Sequence, residues 1–410
     1  MEPEKQAAGQ EQLELSWQPP RGLISLSFTT LFLRILTLGV YHFWAKTEVR
    51  KRIWSAIRLN GEPLSYTGKG KELFLGFLIA FLVVILPVFL LIFGLTLTLD
   101  PRHSALNLVM ALLYIGFAYL MGIAIYRAQR YRLARTRWRG IRTALDGSPA
   151  AYAWTYFWTL ILIPFTLGWI IPWRTAKLQS IITNHTKFGD RPLRFTATSG
   201  RLYGPFALLW VGAIIIYATL FSFLAEWFSD AIQASQRYGD PFMPGLEDIM
   251  IVLTSIVLAG FVFALVSSWY QARTINHFAS HTHFESAAFN GNLNALGLVW
   301  LSFSNFLILL VGAAILAGLA FALISLFVEM DSLRLPEGRA AAQVLGGLAP
   351  LVLLMGFSLF YPIVQARTAG YIIKHLETSG TAPIAEIVQS TGADLKYGEG
   401  LAEAFDIDAF

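Results

Sequence analysis

His277, His281 and His283, in the stretch NHFASHTH, come nearest in type and spacing to a metal site. Residues four apart share a helix face, and neutral imidazoles at that spacing, such as His277 and His281, can ligate zinc. Glu285 is the one carboxylate close by, and His281-Thr282 stands at the same repeat position as His185-Thr186, which favours a capping or interfacial role over a metal centre. No other pattern offers a reaction. His-Glu-x-x-His, Gly-x-Ser-x-Gly and a phosphate loop are missing, and GKGKELF from Gly68 lacks the spacer and the Lys-Ser/Thr ending of a phosphate cradle. With no Cys there is no thiolate nucleophile and no Cys-ligated metal. The expectation is a protein without catalytic residues, cofactor or metal.

The run YRAQRYRLARTRWRGIR, Tyr126 to Arg142, offers binding instead, with seven Arg and three aromatics. Such runs neutralise phosphates in nucleic-acid proteins. Directly after an apolar stretch, however, the same composition follows from the enrichment of Lys and Arg in cytoplasmic loops. We therefore expect an anchor against anionic membrane lipids, with Arg132, Arg135 and Arg139 on the headgroups, and no nucleic acid.

The elements that position these residues follow from hydropathy. Of 410 residues 55% are hydrophobic and 14% charged, more apolar side chain than a soluble core of that size uses. The fold class expected is an all-α polytopic membrane protein. Six stretches reach the roughly 20 residues that a crossing needs: 73–99, 105–126, 202–224, 249–270, 296–328 and 341–364. The fifth exceeds one crossing, so its start is expected to bend or lie in the interface. Two more apolar stretches, 24–43 and 152–173, carry Arg34 and Pro164 midway and read as re-entrant or interfacial segments. That keeps the basic segments 45–72, 127–150 and 174–201 on one side, with both termini cytoplasmic. The loops left outside then hold nine acidic and four basic residues. Between their ends the six spans hold no Asp, Glu, Lys, Arg or His; Ser302, Ser304, Asn305 and Ser358 are their main polar groups.

Both defective stretches contain the same phrase, TLGVYHFW from Thr37 and TLGWIIPW from Thr166. It is expected where an apolar segment meets the inner interface, with Gly39 and Gly168 allowing close packing. A repeat lies behind it. Ala176-Lys177 leads to Gly189, Ala272-Arg273 to Glu285, Ala366-Arg367 to Ser379-Gly380, Ala134-Arg135 to Gly147 and, more loosely, Ala45-Lys46 to Asn60-Gly61. Alternating runs at 13–17, 64–66, 141–145 and 193–195 predict a small cytoplasmic β layer. Domain boundaries follow as a polar tail 1–21, a repeat-built membrane domain 22–380 and an acidic tail 381–410.

The phrases TLGVYHFWAKTEVRKRIW, GEPLSYTGKGKELFLGF, RTRWRGIR and GEGLAEAFDIDAF together resemble the YjgN-like family of bacterial inner-membrane proteins, a domain of unknown function. The resemblance implies a multi-pass inner-membrane location and carries over no catalytic residue. The leading expectation is a non-enzymatic protein that binds or moves a lipid or other amphipathic molecule, or scaffolds a membrane complex. An ion- or solute-coupled transporter using Arg34 and Asn305 is the alternative, and an interfacial enzyme with the histidine group the third. Protein partners and oligomeric state have no signal in the sequence.

Overall fold

The computed structural model describes residues 10–98, 104–238, 246–327 and 358–389. Its base is a ring of short strands. In chain order these are β1 (Glu11–Gln12), β2 (Leu15–Trp17), β3 (Ile57–Leu59), β4 (Glu62–Pro63), β5 (Ser65–Tyr66), β6 (Thr136–Trp138), β7 (Ile141–Leu145), β8 (Thr186–Phe188), β9 (Arg191–Phe195), β10 (Thr282–Phe284), β11 (Ala287–Gly291), β12 (Leu376–Ser379) and β13 (Thr381–Ala382). All pairings are antiparallel: β2 with β3 and β3 with β4, then β5 through β12 in unbroken order, then β13 with β1. Leu64 interrupts one strand between β4 and β5, Gly380 another between β12 and β13, and residues 13–14 a third between β1 and β2. Through these three interrupted strands the order of pairing returns to its start.

One apolar cluster explains the closure. Leu13, Leu59, Leu64, Trp138, Ile141, Phe188, Leu193, Phe284, Ala287 and Ala382 bring a side chain from every position of the ring into a single core. Ile384 and Ile387, just past β13, complete it, and their segment is tied across the turns: Val388 N donates to Asp190 Oδ1 (3.2 Å) and Arg142 N to Gln389 Oε1 (2.9 Å). Tight turns form the far rim. Asn60-Gly61 and Arg139-Gly140 have positive φ at both residues, the mirror-image turn that matches strand twist in a two-residue hairpin.

The helices leave the other rim. They are α1 (Leu23–Leu36), α2 (His42–Ala56), α3 (Gly70–Thr98), α4 (Ser104–Arg135), α5 (Pro149–Phe165), α6 (Ile171–His185), α7 (Tyr203–Tyr238), α8 (Leu246–Ala279), α9 (Ala295–Phe327) and α10 (Tyr361–Lys374). One backbone bond recurs five times where the chain leaves the ring and where it returns: Gln18 N to Ala56 O (2.9 Å), Thr67 N to Arg135 O (2.8 Å), Asp146 N to His185 O (2.9 Å), Thr196 N to His281 O (3.0 Å) and Asn292 N to His375 O (2.8 Å). All five excursions thus start and end on the same rim. Segments α1–α2 and α5–α6 each return to the ring, and none of their helices is among those long and apolar enough to cross a membrane. Among the described residues five helices are long and apolar enough to cross a membrane, in α3, α4, α7, α8 and α9. The sixth expected span lies largely outside the described residues. Helix α9 runs unbroken from Ala295, so the bend expected at the start of the fifth stretch is not there. In α3 a wide turn at Phe81–Ile85, where Leu86 N reaches Phe81 O, precedes Pro87, which has no N–H and would clash with the carbonyl four residues back.

The Thr-Leu-Gly phrase sits at the apex of each short excursion, away from the ring, which corrects the expected place at the inner interface. Gly39 N donates to Arg34 O and Gly168 N to Ile163 O, both at 2.7 Å and five residues back, while Leu38 N and Leu167 N donate three residues back, to Ile35 O and Pro164 O. This is a Schellman stop with leucine at the left-handed position, at φ of 49° in each. Each Thr hydroxyl donates to the carbonyl four residues back, Leu33 or Leu162, and accepts from Tyr41 N or Ile170 N. Gly39 is in open space and Gly168 has only Ile171 at contact distance, so positive φ and not close packing explains these glycines. Tight packing occurs instead at Gly122, where a Cβ would lie 2.7 Å from Ala153 Cα.

The ring also corrects the repeat register. Arg139, not Gly147, is the turn residue equivalent to Gly189 and Glu285, so Tyr126-Arg127 takes the place of Ala176-Lys177 and Ala272-Arg273. In this register the residue ten before each outgoing strand is buried: Thr47, Tyr126, Ala176, Ala272 and Ala366.

Candidate functional site

The junction between helices and ring is made by side chains that finish each returning helix. His185, His281 and His375 donate from Nδ1 to the carbonyl four residues back, at 2.6, 2.8 and 2.7 Å. Thr136, Thr186 and Thr282 do the same through Oγ1, at 2.9, 2.8 and 2.8 Å. These bonds satisfy carbonyls that a helix end leaves without a partner. His277 donates from Nε2 to Thr198 O (2.7 Å), and His283 lies in β10 opposite Arg194 and Ala288. A ring nitrogen facing a carbonyl must carry its proton and is not available to a metal. Among the described residues no group of three His, Cys, Asp or Glu side chains could hold a metal ion.

The arginine run divides between the two rims. Arg135 pairs with Glu72 at 2.9 Å beside Tyr131, whose hydroxyl donates to the same oxygen at 2.8 Å, joining the bases of α3 and α4. Arg139 stands at the turn rim, on Glu11 (2.9 Å) and Glu62 (3.1 Å), and stacks on Trp138. Its guanidinium holds the Glu11 carboxyl below the usual carboxylate range, against a smaller opposing effect of burial. Arg132 remains in α4, its carbonyl capped by Thr136. The structure does not gather the three around one anion, and headgroups would compete with carboxylates for two of them.

Other cations are better placed. Lys69 and Lys71 at the start of α3, Arg127 on α4, Lys177 on α6, Arg201 before α7 and Lys374 at the end of α10 are exposed near the helix rim. Among the described residues none of these side chains has an ion pair or hydrogen bond. Composition could not separate them from the paired arginines, because pairing is decided by which strand and helix ends meet.

A second polar group lies between α8, α9 and α10. Asn305, 8% exposed, accepts from Arg367 Nε (3.0 Å) and donates to Thr368 Oγ1 (3.1 Å), while Arg367 Nη2 donates to Ser304 Oγ (2.7 Å). Ser268 donates to Ser302 Oγ at 2.7 Å. Sequence reading singled out Asn305 and the serines but not the arginine that joins them. The Ala366-Arg367 repeat position was the available signal. Arg34, in the last turn of α1, is not in this group.

The profile of a family described as "Bacterial protein of unknown function (DUF898)" matches residues 21–404. The chain belongs to that family. This DUF898 chain is also similar to inner membrane protein YjgN of Salmonella typhimurium, at 24% identity over 146 residues, 36% of this chain and 34% of that one. It thus spans about a third of the length of that curated relative. No solved structure matches. With five helices of membrane-crossing length among the described residues, the family member is a multi-pass inner-membrane protein of YjgN-like type.

Proposed function

We propose that this protein is a non-enzymatic lipid-binding element of the inner membrane, with its ring on the cytoplasmic side and its helix rim in contact with anionic headgroups. The observation that carries the reading is the set of cations Lys69, Lys71, Arg127, Lys177, Arg201 and Lys374 at one rim, unpaired among the described residues, against the paired Arg139 and Arg191 at the other. A cation left without a protein partner keeps its charge available to phosphate. The filled core of the ring argues against an aqueous path along its axis and so disfavours the ion-coupled transporter.

Each juxtamembrane cation near an anionic surface contributes about 1 kcal/mol. A variant with Lys69, Lys71, Arg127 and Lys177 all changed to Gln is expected to insert normally and to lose most co-purified anionic phospholipid, measured by mass spectrometry of the detergent-purified protein. The same lipid complement in variant and parent would remove the basis for the reading.

A further inference from the structure

Arg367 differs from Lys69, Lys71, Arg127, Lys177, Arg201 and Lys374 in being held, and from Arg135 in being held by neutral side chains. It stands nine residues before β12, about 13 Å of helix, and is level by repeat position with Arg127, Lys177 and Arg273. Asn305 and Ser304 fix two of its guanidinium nitrogens, and the buried Asn305 is itself fixed by Thr368. All these partners are neutral. Among the described residues no carboxylate pairs with Arg367, and Nη1 and the second Nη2 hydrogen remain unused. A guanidinium oriented by neutral groups, with its charge uncompensated, suits a phosphate, which accepts in the fork geometry that Arg presents.

The next feature along α9 says which kind of phosphate. Ser302 and Phe306, on either side of Asn305 in the helix, line a cavity of about 260 Å³ with Val257, Gly260, Phe261 and Ala264 of α8. Its wall is apolar except at Ser302, which is bonded to Ser268. A Cβ built on Gly260 would meet nothing within 4 Å, so the space is open there. Val257 and Leu258 beside it are more than half exposed on a helix of membrane-crossing length, which puts the cavity within reach of the bilayer. A fixed cation bonded to Asn305, whose helix neighbours Ser302 and Phe306 line an apolar cavity, matches an amphipathic anion and not a soluble one.

We propose that Arg367, oriented by Asn305 and Ser304, binds the phosphate of one anionic phospholipid, whose acyl chain enters the cavity between α8 and α9. The proposal rests on the lipid-binding reading and adds to it a single defined site. It is tested on the full chain in detergent, titrated with phosphatidylglycerol or phosphatidylcholine and followed by native mass spectrometry. The parent is expected to retain one phosphatidylglycerol in preference to phosphatidylcholine. Arg367→Gln is expected to weaken that retention about fivefold or more, the value of one cation at such a surface, and Arg367→Lys to restore part of it. Gly260→Leu, which fills the cavity without touching charge, is expected to weaken it too, and inorganic phosphate is expected not to compete.

Competition by phosphate with no effect of Gly260→Leu would replace the lipid by a soluble anion and overturn the proposal. Parent-like retention in both Arg367→Gln and Gly260→Leu, with lipid still lost from the Lys69/Lys71/Arg127/Lys177 variant, would overturn this site and leave the wider reading standing. A parent that retains no phospholipid would overturn both.

Discussion

The short excursions α1–α2 and α5–α6 and the long ones α3–α4 and α7–α8 leave the ring by the same backbone junction and differ in how far they go. Helices α2 and α6 have 15 residues each and end in their strands as α4 and α8 do, but α4 has 32 and α8 has 34. The returning half nearest the ring is thus the constant part of the repeat, and the long helices extend it outward. Length is set by whether a stop is written. At 14 residues α1 spans about 21 Å and at 17 residues α5 about 25 Å, short of a roughly 30 Å hydrocarbon core. Leu38 and Leu167, 94% and 73% exposed at the apices, are apolar side chains that such a depth permits.

The largest effect that could break this comparison is an all-or-none one. Because the chain has no Cys, single replacements Ser148→Cys, Ser180→Cys and Ser235→Cys can be probed with a membrane-impermeant thiol reagent. Ser148, at the start of α5, and Ser180, in α6, should label from the same face, and Ser235, near the end of α7, only from the other. If Ser180 labels together with Ser235, α5–α6 crosses the membrane and the two classes collapse into one.

A smaller effect should differ in sign between the classes. A left-handed conformation costs an ordinary residue roughly 1–2 kcal/mol, so Leu38→Gly and Leu167→Gly are each expected to stabilise by about 1 kcal/mol, and Gly39→Ala to destabilise by a similar amount. In the long α4, Gly116 has ordinary helical φ and open space around it. Gly116→Ala should therefore stabilise by about 0.5–1 kcal/mol. Thermal unfolding in detergent gives both signs. Stabilisation by Gly39→Ala would mean that no Schellman stop ends α1.

The smallest effect concerns the ring that both classes share. Glu11 has its pKa lowered by Arg139, so its contribution is present above the unfolded carboxylate pKa and lost as pH falls through the depressed folded value. Its side chain is 39% exposed, and screening keeps that contribution small. Protease sensitivity of the amino-terminal strand should rise slightly on acidification below the normal carboxylate range and be less sensitive to pH in Arg139→Gln, where only the Asn60 hydrogen bond still lowers the Glu11 pKa. Equal pH dependence in the variant would show that the Arg139–Glu11 pair does not couple the strand to pH.

Much of the helical layer was legible because it depends on local composition. Apolar length placed the five described spans, and Arg34 and Pro164 marked the segments that turn back. The β elements were legible as alternation at 13–17, 64–66, 141–145 and 193–195, but their closure was not. Pairing of β13 with β1 joins residues some 370 apart, and no local pattern carries that information. The candidate site was the least legible part. A dense run drew attention to Arg135 and Arg139, whose charges the fold neutralises with Glu72, Glu11 and Glu62.

By itself the sequence determined that this is a multi-pass membrane protein of repeated units, because hydropathy and stop signals act within a few helical turns of where they are written. Only the tertiary structure decided that the repeats close into a ring, that Thr-Leu-Gly lies at an apex, and that among the described residues Arg139 meets carboxylates while Arg367 meets neutral groups. Those outcomes depend on which distant strand or helix end arrives beside each side chain, and charge pairing and burial have no value until that neighbour is in place.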